Sequence, residues 1–282
     1  KGDKVMIQPP VYHPFAWVTT RNERTLVINP LKWENGMYRM DLDAFREQIK
    51  GCKLFILCNP HNPGGVVWTE AELRAIADIC YDEKVLVFSD EIHADLTLPP
   101  HTHRPFATVS EKARMNSVTF MSPSKAFNMP GLSASHALIF NEDLRKRFRI
   151  YMDAGELDMG HVFAFLSVEA AYSHGTEWLD QCLAYIQGNI DFVDEFLKKH
   201  APKIKAIRPE ASYLVWLDCR ELELSQKDLN EFFVDKAHLA LNDGEMFGKE
   251  GIGFMRLNVA SPRCIIEKAM KQLADAYQLY IK

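Results

Sequence analysis

The chain has 282 residues, 47% of them hydrophobic and 25% charged, so it can bury a large core and exceeds the usual length of a single domain. Its formal net charge of −5, without a lysine-rich run or a basic amphipathic helix, argues against a nucleic-acid-binding protein. No apolar stretch approaches transmembrane length and the start lacks the apolar core of a signal peptide, so we expect a cytoplasmic protein without a membrane partner.

The first predicted elements are a strand, a proline-rich loop, a second strand and a helix. Residues 5–7 are apolar, and the prolines in residues 8–15 break regular structure and present Tyr12 from a loop. Residues 26–28 form another apolar run, and residues 41–49 combine an N-cap aspartate with apolar residues on one helical face. Because the chain opens almost inside a strand, we expect that an N-terminal part of the fold is missing.

Strands and helices then alternate. Residues 54–58 are apolar on both faces, which is typical of a central parallel strand covered by helices on both sides. Thr69 and Glu72 have the spacing of a capping box, and Trp68 and Leu73 occupy the hydrophobic-staple positions of the same helix. The pattern predicts a right-handed β-α-β crossover to the next apolar run.

Polar clusters follow three of the predicted strands. Asn59–Gly65, Ser89–His93 and Ser122–Lys125 each come directly after a short apolar run. Because the carboxyl ends of parallel strands meet at one edge of a sheet, the clusters predict a site in the crevice of an open α/β sheet. In such a site Lys125 could form a Schiff base, whereas taken alone it is better explained as a solvated lysine after a Ser-Pro-Ser turn.

The pattern changes after Gly175, where we place a boundary between a large domain, residues 1–174, and a small domain, residues 175–282. The elements predicted beyond it are a long helix capped by Thr176 and ending before Pro202, strands at 213–217 and 253–259, a short helix at 229–236, and a closing helix with Pro262 in its first turn.

The cysteines show no CxxC pair and no metal-ligand spacing. They lie mostly within apolar runs, which favours buried, reduced thiols and predicts no metal site. These residues are Cys52, Cys58, Cys80, Cys182, Cys219 and Cys264.

Four segments in this order carry a family resemblance. They are NPHNPGG at 59–65, SDEIHADL at 89–96, SPSK with FNMPGL at 122–132, and GFMRLNVASPR at 253–263. Together they resemble the pyridoxal-phosphate (PLP) enzymes of the aminotransferase fold, especially their MalY/PatB branch of cystathionine β-lyases. The resemblance implies an α/β protein, with a three-layer α/β/α large domain built on a mainly parallel sheet and a smaller α+β C-terminal domain.

The resemblance also implies a role for each candidate residue. Lys125 would bind PLP covalently and take the substrate's α-proton, and Asp90 would keep the pyridine nitrogen protonated. Tyr12, stacked on the ring, completes the predicted catalytic set. The other predicted contacts are Asn62 and His93 at the phenolic oxygen, Ser122 and Ser124 at the phosphate, and Arg256 with Asn62 at the substrate carboxylate.

Simpler explanations stay open for several of these residues when each is taken alone. Asp90 is also a suitable N-cap for the segment that follows it. His93 could be satisfied by backbone groups near the strand end, and Tyr12 could pack against the core from its loop. Arg256 could be a surface arginine on an edge strand, because the sequence does not give its direction.

Two departures from the family pattern affect phosphate binding. Many aminotransferases have an arginine eight residues after the Schiff-base lysine, but this chain has Ser133, as the lyase branch does. The family also uses a small-residue loop upstream of the position of Lys1, and this chain has no such segment. We therefore expect a fragment or a shortened gene product whose cofactor affinity and activity are in doubt.

The leading hypothesis is a PLP-dependent C–S β-lyase that cleaves cystathionine, cysteine or related amino acids to a thiol, pyruvate and ammonia. One alternative is a class I/II aminotransferase, since proton abstraction from the α-carbon is shared by both reactions. Another is a catalytically impaired PLP-binding or interaction protein. The resemblance also implies a homodimer with its sites at the interface.

Overall fold

The computed structural model describes residues 1–157 and 159–280. In this part of the chain the strands are β1 Lys4–Ile7, β2 Thr25–Ile28, β3 Lys32–Glu34, β4 Met37–Arg39, β5 Cys52–Cys58, β6 Leu86–Asp90, β7 Ser117–Met121, β8 His136–Leu138, β9 Lys205–Ile207, β10 Leu214–Asp218, β11 Asn242–Asp243 and β12 Phe254–Asn258. The α-helices are α1 Pro14–Arg21, α2 Leu42–Gln48, α3 Glu70–Asp82, α4 Glu111–Met115, α5 Pro123–Ala126, α6 Glu142–Ala154, α7 Val162–His174, α8 Thr176–His200, α9 Gln226–Glu231 and α10 Arg263–Tyr280. None of these helices is long and apolar enough to cross a membrane.

The large sheet has the strand order β2-β1-β5-β6-β7-β8. Its neighbours are parallel except for the pair β7–β8, which is antiparallel. One face packs on α2 and α3, where Phe45 and Leu73 are buried, and the other packs on α1 through Phe15 and Ile56. The predicted α/β class with a mainly parallel sheet is therefore confirmed.

The predicted capping box begins α3. The Glu72 backbone N–H donates to Thr69 Oγ1 at 3.2 Å, and the Thr69 backbone N–H donates to Glu72 Oε2 at 2.8 Å. Trp68 and Leu73, at the staple positions, are both buried. Local sequence thus fixes the direction of the chain as it leaves the Asn59–Gly65 loop.

The register of the central strands places the three polar clusters side by side. Cys58, the last residue of β5, pairs with Asp90, the last residue of β6, and Asp90 pairs with Phe120 in β7. The Asn59 backbone N–H donates to the Asp90 carbonyl oxygen at 2.9 Å, which continues this ladder into the loop. The clusters therefore begin at a common edge of the sheet, as predicted.

The C-terminal part contains a second sheet, with the antiparallel order β11-β12-β10-β9. Its strands pack on α8 and α10 through Val193, Val215 and Met270, which are fully buried. Trp216 and Phe254 of this sheet belong instead to the core of the large sheet. The boundary near residue 175 stays a prediction.

Two local predictions at helix starts were wrong. The proline-rich loop does not extend to Phe15, because Pro14 lies in the first turn of α1, where its missing N–H costs nothing. Thr176 is not a helix cap but the first helical residue, with Gly175 as the N-cap. The Gly175 N–H donates to Ala171 O at 2.8 Å, so α7 runs almost directly into α8.

The cysteine prediction holds only in part. Cys52, Cys58, Cys80 and Cys219 are free and buried, whereas Cys182 is half-buried and Cys264 is exposed. Cys264 lies in the first turn of α10, and its apolar neighbour Ile265 is also exposed, so an apolar run in sequence did not guarantee burial.

Candidate active site

A cavity of about 370 Å³, the site cavity, opens where the carboxyl ends of β5 and β6 face the second sheet. This volume lies within the range of ordinary small-molecule sites. The cavity brings together all the predicted site residues except Ser122 and Ser124. Its lining comprises Tyr12, His13, Cys58, Asn62, Asp90, Ile92, His93, Lys125, Tyr213, Leu214, Arg256 and Asn258.

The loop after β5 positions Asn62. Its backbone N–H donates to the Cys58 sulfur at 3.3 Å, and the loop closes on itself through His61 N–H to Val66 O at 2.8 Å. Gly65 has a φ of +67°, and a Cβ there would lie 2.5 Å from Pro209 Cβ. The turn therefore requires glycine at residue 65, and it delivers the Asn62 amide to the cavity wall.

Arg256 crosses from β12 to this loop. Its Nη1 donates to Asn62 Oδ1 at 2.9 Å, its Nη2 donates to Asn242 Oδ1 at 2.7 Å, and the guanidinium lies 4.7 Å from the Phe247 ring centroid. Two amide oxygens and an aromatic ring thus hold the Arg256 guanidinium in place. None of these three contacts is with a carboxylate. Arg256 points into the cavity, which removes the surface-arginine explanation.

Asp90 ends β6 inside the site cavity. Its Oδ1 accepts a hydrogen bond from the Ile92 backbone N–H at 3.2 Å, as an aspartate that caps the following turn would. Burial raises the pKa of this carboxyl to about 6, while that hydrogen bond and the Lys125 charge oppose the rise. The capping role and a buried, proton-responsive carboxyl therefore coexist in the same residue.

His93 is buried beside Asp90, and its ring packs edge-on against Tyr213 with centroids 6.2 Å apart. Burial, followed by the Lys125 and Arg256 charges, lowers its pKa to about 3. The imidazole is therefore neutral near pH 7. Within the described residues its Nδ1 has no hydrogen-bond partner, so backbone groups do not satisfy it fully.

Lys125 lies on α5, which begins where β7 ends. Ser122 is the N-cap of this short helix, and its Oγ accepts from the Ser124 backbone N–H at 3.0 Å. Lys125 lines both the site cavity and an adjoining cavity of about 310 Å³ that contains Trp178 and Tyr185. Its charge acts on both Asp90 and His93, so it is not a solvated loop lysine remote from the other clusters.

Ser122 and Ser124 lie behind Lys125 rather than in the site cavity. Both are buried, their hydroxyls are 2.8 Å apart, and the Ala134 carbonyl oxygen accepts from this pair. Ser122 lines a cavity of about 360 Å³ beside Asp90, and Ser124 lines the cavity that contains Trp178. Their phosphate role stays a prediction.

Tyr12 is 37% exposed and lines both the site cavity and the cavity that contains Ser122. Its ring makes an edge contact with Phe15, with centroids 5.6 Å apart. One edge of Tyr12 therefore packs on α1, in line with the alternative that Tyr12 packs against the core. Tyr12 also lines the two cavities that Asp90 lines.

Sequence reasoning missed several lining residues, among them His13, Tyr213 and Asn258. His13 follows Tyr12 directly, and burial together with the Arg256 charge lowers its pKa. Tyr213 directly precedes β10 and Asn258 ends β12, so the two residues lie at the same end of this antiparallel pair, with Asn258 two residues after Arg256. A sequence signal existed only for His13, which adjoins a predicted site residue. The positions of Tyr213 and Asn258 in the cavity depend on how the second sheet packs against the first.

Comparison with known proteins places these features in context. Residues 1–273 match the family model for aminotransferase class I and II. Cystathionine beta-lyase PatB of Bacillus subtilis is 38% identical over 277 residues, covering 98% of this chain and 72% of that protein. Protein MalY of Escherichia coli is 32% identical over 278 residues, covering 98% of this chain and 70% of that protein.

The solved structure of cystalysin from Treponema denticola, which contains a pyridoxal 5′-phosphate cofactor, superimposes with a TM-score of 0.96. The sequence identity is 35%, and the match covers 100% of this chain and 72% of the cystalysin chain. At this level of similarity the fold and the predicted family are both confirmed.

Proposed function

Since this chain belongs to the aminotransferase class I and II family, we propose that it is a PLP-dependent C–S β-lyase that acts on cystathionine, cysteine or related amino acids. The observation that carries the proposal is the convergence of Lys125, Asp90 and Arg256 on one cavity. An amine, a buried carboxyl and an arginine that can bind a carboxylate are the groups that removal of an amino acid's α-proton requires, and the similarity to a cystathionine beta-lyase favours elimination as the step that follows.

The residues of the site cavity fit pyridoxal phosphate. Within the described part of the chain, three buried polar atoms of its lining residues, His13 Nδ1, His93 Nδ1 and Arg256 Nε, have no hydrogen-bond partner. Buried polar groups are rarely left unpaired, so a polar ligand is expected in this space. Lys125 would bind the cofactor's carbonyl carbon, Asp90 its pyridine nitrogen, Asn62 and His93 its phenolic oxygen, and Tyr12 its ring face.

When bound, the cofactor supplies an electron sink for negative charge at the substrate's α-carbon. Asp90 holds a proton at the pyridine nitrogen, because a carboxylate in a buried position favours a cation beside it. The raised pKa of Asp90 means that burial disfavours its negative charge when no pyridinium cation lies beside it. Asp90 therefore has an electronic role, and Lys125 has the role of anchor.

Arg256 and Asn62 hold the substrate carboxylate. Asn62 and Asn242 already orient the Arg256 guanidinium, so the arginine side chain loses little rotamer entropy when a carboxylate binds. Once the substrate's amino group has taken the place of Lys125 on the cofactor, the free Lys125 amine would take the α-proton as a general base. The electron pair left at the α-carbon then forms the Cα–Cβ double bond while the C–S bond breaks, and the thiolate leaves with the C–S bonding pair.

The experiment that tests the proposal is a steady-state assay of purified protein with added PLP. Incubation with cystathionine is expected to release a thiol, pyruvate and ammonia, while an amino acid with a 2-oxo acid gives little new amino acid. Efficient transamination without pyruvate would instead identify an aminotransferase. Absence of both activities in protein that binds PLP would identify an impaired binding protein.

A further proposal concerns assembly and location. We propose a homodimer, because α6, α7 and Met159 expose large apolar side chains that a partner subunit would cover. These include Tyr151 at 74% exposure, Met159 at 81% and Phe163 at 67%. We propose a cytoplasmic location separately, since the six cysteines are free thiols, as is usual in a reducing compartment.

Sedimentation velocity is expected to show a dimer, and Phe163→Ser is expected to weaken the dimer. A monomer at working concentration with PLP fully bound would contradict the proposal.

Arg256→Lys is expected to raise KM for the amino acid by roughly 10- to 100-fold, because lysine keeps the charge but loses the bidentate fork. PLP affinity, measured by fluorescence titration, is expected to stay near the wild-type value. Arg220→Lys is the matched control, since Arg220 also lies over an aromatic ring, 4.7 Å from the Phe254 centroid, but pairs with Asp218 outside the site cavity. Equal KM changes in both variants would remove Arg256 from substrate binding.

A further inference from the structure

A second carboxylate, Glu91, lies directly behind Asp90 and has no part in the chemistry described above. Its side chain is fully buried, and three groups lie within hydrogen-bond distance of it. Ser89 Oγ donates to Oε1 at 2.7 Å, the Phe106 backbone N–H donates to Oε1 at 2.8 Å, and His103 Nε2 lies 2.7 Å from Oε2. Burial of a carboxylate is unfavourable unless hydrogen bonds and charges compensate for the lost water, so the position of Glu91 calls for an explanation.

Strand alternation sends Glu91 and Asp90 to opposite sides of the sheet. Ser89 and Glu91 share the face that packs on Phe106, whereas Asp90 faces the site cavity. The Glu91 backbone N–H donates to Phe120 O at 2.8 Å, and the Glu91 carbonyl oxygen accepts from Ala94 N–H at 2.9 Å. Any movement of Glu91 therefore moves the turn that carries Asp90 and His93.

Glu91 also acts on Asp90 through its charge. Ser89 Oγ and the Phe106 backbone N–H both donate to Oε1, and His103 Nε2 lies at Oε2. The other ring nitrogen of His103, Nδ1, is buried and has no hydrogen-bond partner among the described residues. Burial raises the pKa of the neighbouring Asp90 carboxyl, and the Glu91 charge raises it further.

We propose that Glu91 is a positioning residue of the active site, which fixes the turn bearing Asp90 and His93 and adds a buried negative charge next to Asp90. The charge would favour a cation in front of Asp90, such as a protonated pyridine nitrogen. In this respect the inference rests on the proposed function. The physical claim about Glu91 and Asp90 concerns the protein alone and can be tested without cofactor.

Other charges also act on Asp90 and have to stay constant in the test. Lys125 on α5 favours the ionised form of Asp90, and Glu91 disfavours it. The remaining titratable groups around this pair are Cys58 on β5, His93 on the same turn, Tyr12 across the cavity, and His103 with Asp95 behind Glu91.

The test compares Glu91→Gln with Glu210→Gln. Glutamine keeps the size of Glu91 and removes its charge, and its amide oxygen can still accept from Ser89 Oγ and the Phe106 backbone N–H. Glu210 is the matched control. Its Oε2 accepts from the Val67 backbone N–H at 2.8 Å, and its Oε1 faces His101 Nδ1 at 3.7 Å, but it does not adjoin Asp90.

The readout is the infrared carboxyl band that Asp90→Asn removes, titrated in cofactor-free protein. The wild-type midpoint is expected at about 6. Glu91→Gln is expected to lower it by roughly half to one pH unit, as loss of one nearby buried charge should, and Glu210→Gln to leave it unchanged. A second variant, His103→Arg, neutralises Glu91 with a fixed cation and is expected to lower the midpoint as well.

Each outcome decides the proposal. A midpoint that moves in neither Glu91→Gln nor His103→Arg would show that Glu91 only anchors the loop before Phe106 and would overturn it. Equal shifts in Glu91→Gln and Glu210→Gln would overturn it too, because loosening of the loop would then be the cause. A midpoint that is lowered in Glu91→Gln but not in Glu210→Gln supports it, even if the protein releases no pyruvate. PLP affinity is then expected to fall roughly threefold to tenfold in that variant, the factor that corresponds to half to one pH unit.

Discussion

Lys125→Ala is expected to abolish covalent attachment of PLP and to lower pyruvate release by about a thousandfold or more. Lys125 is the amine at the junction of the site cavity and its neighbour, and it would serve as both anchor and base. Noncovalent binding of PLP is expected to persist, because Asp90, Asn62 and His93 stay in place. The measurements are visible absorption of the holoprotein and the mass of the borohydride-reduced protein.

Two further variants separate loss of the amine from loss of positive charge. Lys125→Arg keeps a cation beside Asp90 and His93 but cannot form a bond to the cofactor's carbonyl carbon, so it should be as inactive as Lys125→Ala. Lys203→Ala removes an exposed lysine and is expected to leave absorption and turnover unchanged. A reduced adduct of unchanged yield in Lys125→Ala, mapped to another lysine, would refute the assignment.

Much of the large sheet could be predicted because its signals are local. An apolar run such as Leu54–Cys58 has to be covered on both faces, and the Thr69–Glu72 capping box indicates a helix start from four consecutive residues. The same strands predicted that the clusters at residues 59–65 and 89–93 would meet, because parallel strands end at one edge. These inferences needed no knowledge of distant contacts.

The second half of the site depends on contacts between residues far apart in the chain, which no local pattern encodes. Asn242 meets Arg256 only because β11 pairs with β12, and β11 is too short to leave a recognisable signal. Tyr213 reaches His93 only because the second sheet docks against the first. The hairpin of β3 and β4 was missed as well, since each strand has only three residues.

The family resemblance supplied what local patterns could not, namely a direction for Arg256 and a purpose for Lys125. It did not supply the surroundings of Ser122 and Ser124, whose hydroxyls are directed at one another and at Ala134 O. It also gave no reason for Glu91, which stands within the quoted SDEIHADL segment. Only the packing of Phe106 and His103 against β6 shows that this carboxylate is buried.

Asp90→Asn is expected to lower turnover roughly 10²- to 10³-fold and yet to stabilise the cofactor-free protein. The turnover loss follows because an amide cannot hold a proton at the pyridine nitrogen as a carboxylate does. The gain in stability follows from the pKa of Asp90, which burial raises from 3.8 to about 6. A raised carboxyl pKa means that the folded state binds more protons than the unfolded state between these pH values.

The sign of the pH dependence follows from this proton uptake. The contribution of Asp90 to wild-type stability falls as pH rises from about 4 to about 6, because the folded protein must then ionise a buried group. Asp90→Asn has no carboxyl to ionise, so its free energy of unfolding does not fall in this way. The two proteins should therefore differ little in stability near pH 4, and the variant should be more stable at pH 8 by at most about 3 kcal/mol. Urea unfolding of cofactor-free protein at both pH values measures the difference.

Asp95→Asn provides the control for this last prediction. Asp95 lies on the same segment, and burial raises its pKa as well, but it bonds to the Tyr172 hydroxyl at 3.3 Å instead of lining the site cavity. Its replacement should shift stability with pH in the same direction and leave turnover near the wild-type value. If Asp90→Asn kept near-normal turnover, or lost stability at pH 8, Asp90 would not be the buried carboxyl that holds a cation in this site.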